Sequence, residues 1–117
     1  MRVAVLNGAN LNVLGRRDPA HYGNLSYSEL ETRIYAWASD LGLTVRCRQT
    51  NSEGQYVDWV HDALEIVTVP LVEVHLSNIE AREKWRRNSV ISDLAAKRIV
   101  GQGPEGYREA LEFLAAQ

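Results

Sequence analysis

Apolar positions along the chain follow two rhythms, and they alternate. From Arg2 to Leu6 the run is short and β-branched, and it ends at Asn7-Gly8, which predicts a buried strand. After a long polar stretch, Leu30, Ile34, Trp37, Ala38 and Leu41 recur at helical spacing, and Gly42 ends that helix. Ser26 and Glu29 stand at capping-box spacing, with Leu25 and Leu30 placed to staple across it. Leu43 to Gln49 alternates, with Leu43, Val45 and Cys47 inward and Thr44, Arg46 and Arg48 outward. That pattern predicts an edge strand with one wet face. Ser52 and Gln55 cap a second helix with Tyr56, Val57, Val60, Ala63 and Leu64 on its apolar face. Pro70 to Leu76, PLVEVHL, is almost continuously apolar and reads as a central strand. Asn78 to Asn88 is a polar, basic connection of helical character. Lys97 to Gly101 reads as a last short strand. A final helix starts near Pro104 and turns Tyr107, Ala110, Leu111 and Leu114 inward, with proline suited to its first turn.

Strands alternating with helices predict an α/β fold, a mostly parallel sheet covered by helices on both faces. The chain of 117 residues is one domain with one core, and no repeat or linker divides it. Thirteen basic residues against fifteen acidic ones give a net charge of −2, so no global field favours nucleic acid. A local basic cluster at Arg82, Lys84, Arg86 and Arg87 has the solvated helix face as its commoner explanation. Cys47 is the one cysteine, which rules out an intrachain disulfide and fits a reducing cytoplasm. It reads as a small buried apolar group. The first residues read as a strand and not as a signal peptide, and no apolar run reaches membrane-spanning length.

Chemistry is concentrated in Leu6 to Gly23, LNGANLNVLGRRDPAHYG, which carries Asn10, Arg17, His21 and Tyr22 among Gly8, Gly15, Pro19 and Gly23. The loop follows the first strand, at the sheet edge where open α/β sheets bind ligands. Glu73 and His75 are two apart in a strand, so they share a face near its carboxyl end. Parallel strands bring that end and the first loop to one rim, toward which Arg86 can fold. The rim then holds a phenol, an imidazole with a carboxylate behind it, and two guanidinium groups suited to a carboxylate ligand. A cation beside Tyr22 favours its phenolate, which makes it a base. Taken alone, His75 is more often a hydrogen-bonded core histidine, and Tyr22 a packing tyrosine. His21 and His61 carry no functional signal. No metal-ligand spacing and no phosphate-cradling glycine signature is present. The residues alone therefore reach an anionic small-molecule site with an acid–base pair, and stop there.

At these residues the chain resembles type II 3-dehydroquinate dehydratase. LNGANLNVLGRRDPAHYG matches that family's amino-terminal signature, with Ala9 where proline is usual. TNSEGQYVDWVHDA, PLVEVHLSNIEARE, WRRNSVIS and the GPEGY helix follow in order. The resemblance implies a flavodoxin-like fold and an enzyme without metal or organic cofactor, removing water from 3-dehydroquinate by anti elimination through an enolate. It implies Tyr22 as the base at C2, Arg17 steadying the phenolate and the developing charge, and Asn10 positioning the intermediate. It gives His75 as the acid for the leaving hydroxyl, with Glu73 behind it. It also gives main-chain contacts from Leu76 and Ser77, substrate binding by Arg86, a mobile lid at about residues 14–24, and trimers assembled into dodecamers.

One departure stands out. The family carries a further strand and helix between the helix ending near Ala63 and the strand at Pro70; that strand ends in a turn whose Asn and a nearby His contact substrate. The next helix carries an acidic residue that reaches a neighbouring subunit's site. Roughly 20–25 residues, one strand–helix unit, are absent here. In the family's sheet the absent strand lies between the first strand and PLVEVHL. Three explanations compete: a chain that truly lacks the unit and closes its sheet over the gap, a deletion that folds poorly, or a sequence stitched across a missing segment. Closure would move His75 toward Tyr22 by one strand spacing, ~4.8 Å, outside catalytic tolerance. Residues 64 to 69 read as the end of the family's missing helix and its approach to the strand, which favours a clean excision between similar Asp-Ala pairs. Two functions follow: the dehydratase itself, or an impaired member that binds a carboxylate metabolite or a complete paralogue. A flavin- or phosphate-binding module needs a phosphate loop that Asn7 to Gly15 does not resemble.

Overall fold

β1 (Arg2–Asn7) is followed by α1 (Tyr27–Asp40), β2 (Thr44–Gln49), α2 (Glu53–Ile66), β3 (Val72–His75), β4 (Lys97–Val100) and α3 (Glu105–Ala115). The elements belong to a computed structural model that describes residues 1–8, 25–66, 69–76 and 94–117. The basic connection expected at 78–88 lies outside the described residues.

Local chemistry sets the helix ends. Ser26 Oγ accepts the Glu29 N–H at 3.1 Å and donates to Glu29 Oε1 at 3.1 Å, closing the start of α1. At its other end Gly42 takes φ 71°, a conformation that costs a side chain but not glycine. The turn lets the Leu43 N–H reach back to the Ala38 carbonyl at 2.8 Å. Leu41, expected inward, is 37% exposed, because the chain is already leaving the helix there. Ser52 Oγ accepts the Gln55 N–H at 3.2 Å and starts α2.

α1 and α3 share one core layer. Leu30 and Ile34 are fully buried with Leu25, Ala38, Leu76 and Leu111, and Val3, Val5, Val45, Cys47 and Tyr107 pack against them. The opposite face of β1–β2 belongs to α2. There Val60 is buried, and the Arg48 guanidinium lies 4.0 Å from the Trp59 ring centroid. The wet face of β2 is thus partly a cation–π seam that ties the edge strand to α2. Gly106 lets α3 approach the second half of the sheet. A Cβ there would stand 3.1 Å from Val74 Cγ1 and 3.3 Å from Ile99 Cγ2. Among the described residues no helix is long and apolar enough to cross a membrane.

The sheet is in two halves. β1 pairs with β2 in parallel, Val3 opposite Val45 and Val5 opposite Cys47. β3 pairs with β4 in parallel, Glu73 opposite Arg98 and His75 opposite Val100. No described strand joins β1 to β3. PLVEVHL is expected to be central, yet among the described residues β3 pairs with β4 alone. Hydropathy does not report the pairing of an edge.

Between the halves runs a cavity. Its upper part, about 110 Å³, is lined by five consecutive residues, Val3 to Asn7. Alternate strand residues point to opposite faces, so a cavity on one face would meet every second residue. Five in a row mean that it follows the edge of β1. Across it stand Leu71, Val72 and Val74. The lower part, about 360 Å³, lies between Met1–Val3 and Val69–Val72. The sheet therefore does not close over the gap. α2 runs as one helix to Ile66.

Cys47 gives this half of the core a pH signature. Burial, and next the charge of Glu31, push its thiol up to about 11. An unfolded thiol ionises near 8.5. Between those values the unfolded chain has lost a proton that the folded chain keeps, so stability falls as pH rises from about 8.5 toward 11. Iodoacetamide is expected to label folded Cys47 slowly at pH 8, and urea to release it to the rate of a free thiol. Equal rates in both states would remove the assigned burial.

Candidate active site

β1 and β3 end on the same side of the molecule, and α3 shows it. Tyr107, in the first turn of α3, donates its hydroxyl to Asn7 Oδ1 at 2.8 Å, at the end of β1. Just before α3, the Gly103 N–H donates to the Leu76 carbonyl at 3.0 Å, at the end of β3. The last turn of α3 places Leu114 beside the starts of both strands. The shared rim expected from parallel strands is therefore present.

On the β3 side, Glu73 and His75 meet as their spacing requires. His75 Nε2 lies 2.7 Å from Glu73 Oε1. Glu73 is 4% exposed, and a carboxylate that deep is costly unless it is paired. Its second oxygen lies 3.5 Å from Arg98 Nε, across the β3–β4 register. A carboxylate held beside a guanidinium is an acceptor only, so Nε2 carries the hydrogen it receives. That leaves Nδ1 as the ring nitrogen that does not face Glu73. The Leu76 carbonyl accepts the Gly103 N–H at 3.0 Å.

On the β1 side the base of the first loop is clamped. Asn7 is 3% exposed, and its Nδ2 donates to the Tyr27 hydroxyl at 3.3 Å. Its carbonyl accepts the Thr50 N–H at 3.0 Å. Gln49 Nε2 donates to the Gly8 carbonyl at 3.2 Å. Burial pushes the Tyr107 phenol far above its ordinary range, with the nearby Tyr56 and Tyr27 adding to the effect, so its hydroxyl stays a donor. Burial raises the Tyr56 phenol too, and the charge of Glu73 adds to it.

Glu73, His75 and Leu76 are thus placed together at the rim. Asn10, Arg17, Tyr22, Ser77 and Arg86 lie outside the described residues, and so does the loop at 14–24. Three contributors escaped the reading of the sequence. Asn7 was only a strand end and Tyr107 only an inward helix position. Arg98 needed the β3–β4 register, which no local pattern carries.

Residues 1–63 and 60–115 match the family described as dehydroquinase class II. A 3-dehydroquinate dehydratase of Pelobacter propionicus is 42% identical over 135 residues, covering 94% of this chain and 91% of the relative. One of Thermus thermophilus is 41% identical over 138 residues, covering 97% and 93%. Among solved structures, the type II dehydroquinase of Propionibacterium acnes superposes with a TM-score of 0.89 at 36% identity, covering 99% of this chain and 97% of that one. The Pelobacter alignment spans 135 positions, yet 94% of this chain is about 110 residues, so about 25 positions of the relative have no counterpart here. The family match is in two pieces that both include Val60 to Ala63, which puts the difference at the end of α2.

Tyr107→Phe removes one hydroxyl and leaves Asn7 Oδ1 buried without that donor. A loss of about 1–3 kcal/mol in unfolding free energy is expected from urea titration. A change below a few tenths would mean that the bond adds nothing net.

Proposed function

The chain belongs to the class II dehydroquinase family, and on that premise we propose that it dehydrates 3-dehydroquinate to 3-dehydroshikimate, a step of the shikimate pathway to aromatic amino acids. The observation that carries this reading is the Glu73–His75 pair, at the carboxyl end of β3, in a chain that matches the family along nearly its whole length.

The proposed reaction is an anti elimination in two proton transfers. Tyr22, as phenolate, takes the C2 proton, and the electron pair moves into the ketone to give an enolate. Arg17 favours the phenolate and offsets the charge that develops. The enolate then collapses and expels the hydroxyl, which takes a proton from the His75 imidazolium and leaves as water. Glu73 holds the His75 ring and stabilises the imidazolium, with Arg98 sharing its charge. Asn10 positions the intermediate, while Ser77, the Leu76 main chain and Arg86 bind substrate. Residues 14–24 act as the lid that brings Arg17 and Tyr22 over it. The whole chain, 1–117, acts as one domain, and it works as a homo-oligomer.

A second reading has its own observation. The cavity between β1 and β3, with the two-piece family match, favours a member that keeps the substrate pocket but turns over slowly or not at all.

The assay is direct, because the product is a conjugated enone acid whose ultraviolet absorbance rises as it forms. Tyr22→Phe is expected to lower kcat by roughly 10²–10⁴-fold, the usual contribution of a general base, while substrate binding stays close to that of the parent. Strong residual turnover in that variant would refute Tyr22 as the base. Folded parent protein that binds 3-dehydroquinate without turnover would establish the second reading. Glu73→Gln keeps the shape and removes the charge behind His75. A fall in kcat of at least roughly tenfold with little change in KM is expected, since the interaction matters most as the imidazolium hands over its proton. A rise in KM alone would make Glu73 a binding residue.

A further inference from the structure

β4 sends its two cations to opposite faces of the sheet. Lys97 turns toward α3, where its Nζ lies 3.4 Å from Glu109 Oε1 and 5.4 Å from the Phe113 ring centroid. Val74 and Ile99 lie on that face too, against Gly106 of α3. Arg98 is the next residue after Lys97, so its side chain leaves the strand on the other side. The β3–β4 register sets Arg98 opposite Glu73, and Glu73 alternates with Val74 in the same way. Glu73, His75 and Arg98 therefore share the face turned away from α3. There the buried Glu73 divides its carboxylate, with His75 Nε2 2.7 Å from Oε1 and Arg98 Nε 3.5 Å from Oε2. His75 and Arg98 are each partly exposed. From α2, Tyr56 is near enough for the charge of Glu73 to add to the rise that burial gives its phenol.

We propose that Arg98 is a positioning residue for His75, acting through Glu73. The physical reason is charge balance. A buried carboxylate is costly unless a cation stands beside it. Arg98 supplies one such cation, and a proton on the His75 ring supplies another. The two compete for the same charge: the more of it Arg98 matches, the less tightly the proton on the ring is held. Glu73 then orients the ring as an acceptor without trapping its proton, and the ring is left able to give that proton away. The kinetic consequence rests on the proposed role of His75 as the acid. The protonation of the ring does not, and it is measured on the free protein.

The test is a pH titration of the His75 ring by long-range proton–nitrogen spectra of the full 117-residue chain, with its signals identified by their absence from His75→Gln. Removing the anion and removing the cation should move the midpoint in opposite directions. In Glu73→Gln it is expected to fall. In Arg98→Met it is expected to rise, because Glu73 then keeps its whole charge for the ring. Loosened packing gives no such opposition of sign. Arg98→Gln removes the charge while its amide can still donate to Oε2, so it carries the test where the methionine variant does not fold, and the same rise is expected. In the Glu73→Gln background, Arg98→Gln should move the midpoint far less than it does in the parent. With 3-dehydroquinate, kcat of Arg98→Gln is expected to fall roughly three- to tenfold with KM little changed, since a proton held more tightly is given up more slowly. An unmoved or lowered midpoint in the Arg98 variants would overturn the proposal, and so would an equal shift with and without Glu73. A rise in KM alone, with the midpoint unmoved, would overturn it in favour of Arg98 as a binding residue. A raised midpoint with turnover absent or unaltered upholds the positioning of His75 and counts only against His75 as the acid.

Discussion

The hydrogen bond from Tyr107 to Asn7 joins two half-sheets that no strand pairing connects. Asn7 closes β1, and Tyr107 opens the helix that packs on β3 and β4. An ordinary parallel sheet transmits position from strand to strand through its ladder of backbone bonds. Here α3 takes over that role. Its Gly106 lies close against Val74 and Ile99, its Leu111 enters the core of α1, and its Tyr107 reaches the β1 terminus. The phenol is held far from ionisation, so the bond it donates is insensitive to pH over any physiological range. A neutral donor suits that place, because a buried charge would need a partner that the β1 half does not supply.

The other end of the rim shows the opposite choice, a charge kept deep and divided. Glu73 gives one oxygen to His75 and the other to Arg98. The histidine pairing orients the ring and fixes which nitrogen faces Glu73. The arginine is brought in by register, one strand away. The chemistry of His75 therefore depends on the β3–β4 pairing as much as on its own strand.

Much of this was legible in the residues, and the limits are physical. Helix ends declare themselves through short-range chemistry, so Ser26, Gly42 and Ser52 were readable one by one. The two-residue spacing of Glu73 and His75 implied their contact, because a strand leaves no other arrangement. Arg98 and Tyr107 were not readable as site residues, since their roles arise from register and from the packing of a helix a hundred positions away from Asn7. The centrality of PLVEVHL failed for a different reason. Hydropathy records whether a strand's faces are covered and not which edges are paired, and among the described residues β3 pairs with β4 alone. The resemblance located the missing unit, but only coordinates tell whether a sheet collapses over such a loss.

That the halves stay apart bears directly on catalysis. Closure would have satisfied the backbone groups of β1 and β3 at the cost of repacking α1, α2 and α3 over a narrower sheet. Leu30, Ile34 and Val60 are buried between layers whose width suits a wider one. Side chains packed at crystal-like density resist such a shift more strongly than a few unmade backbone bonds drive it, the more so while those groups can be reached by water. The separation of β1 from β3 is therefore kept by the helices that pack on them. The proposed acid stands on β3 and the proposed base follows β1, so that separation sets the frame of the proposed site.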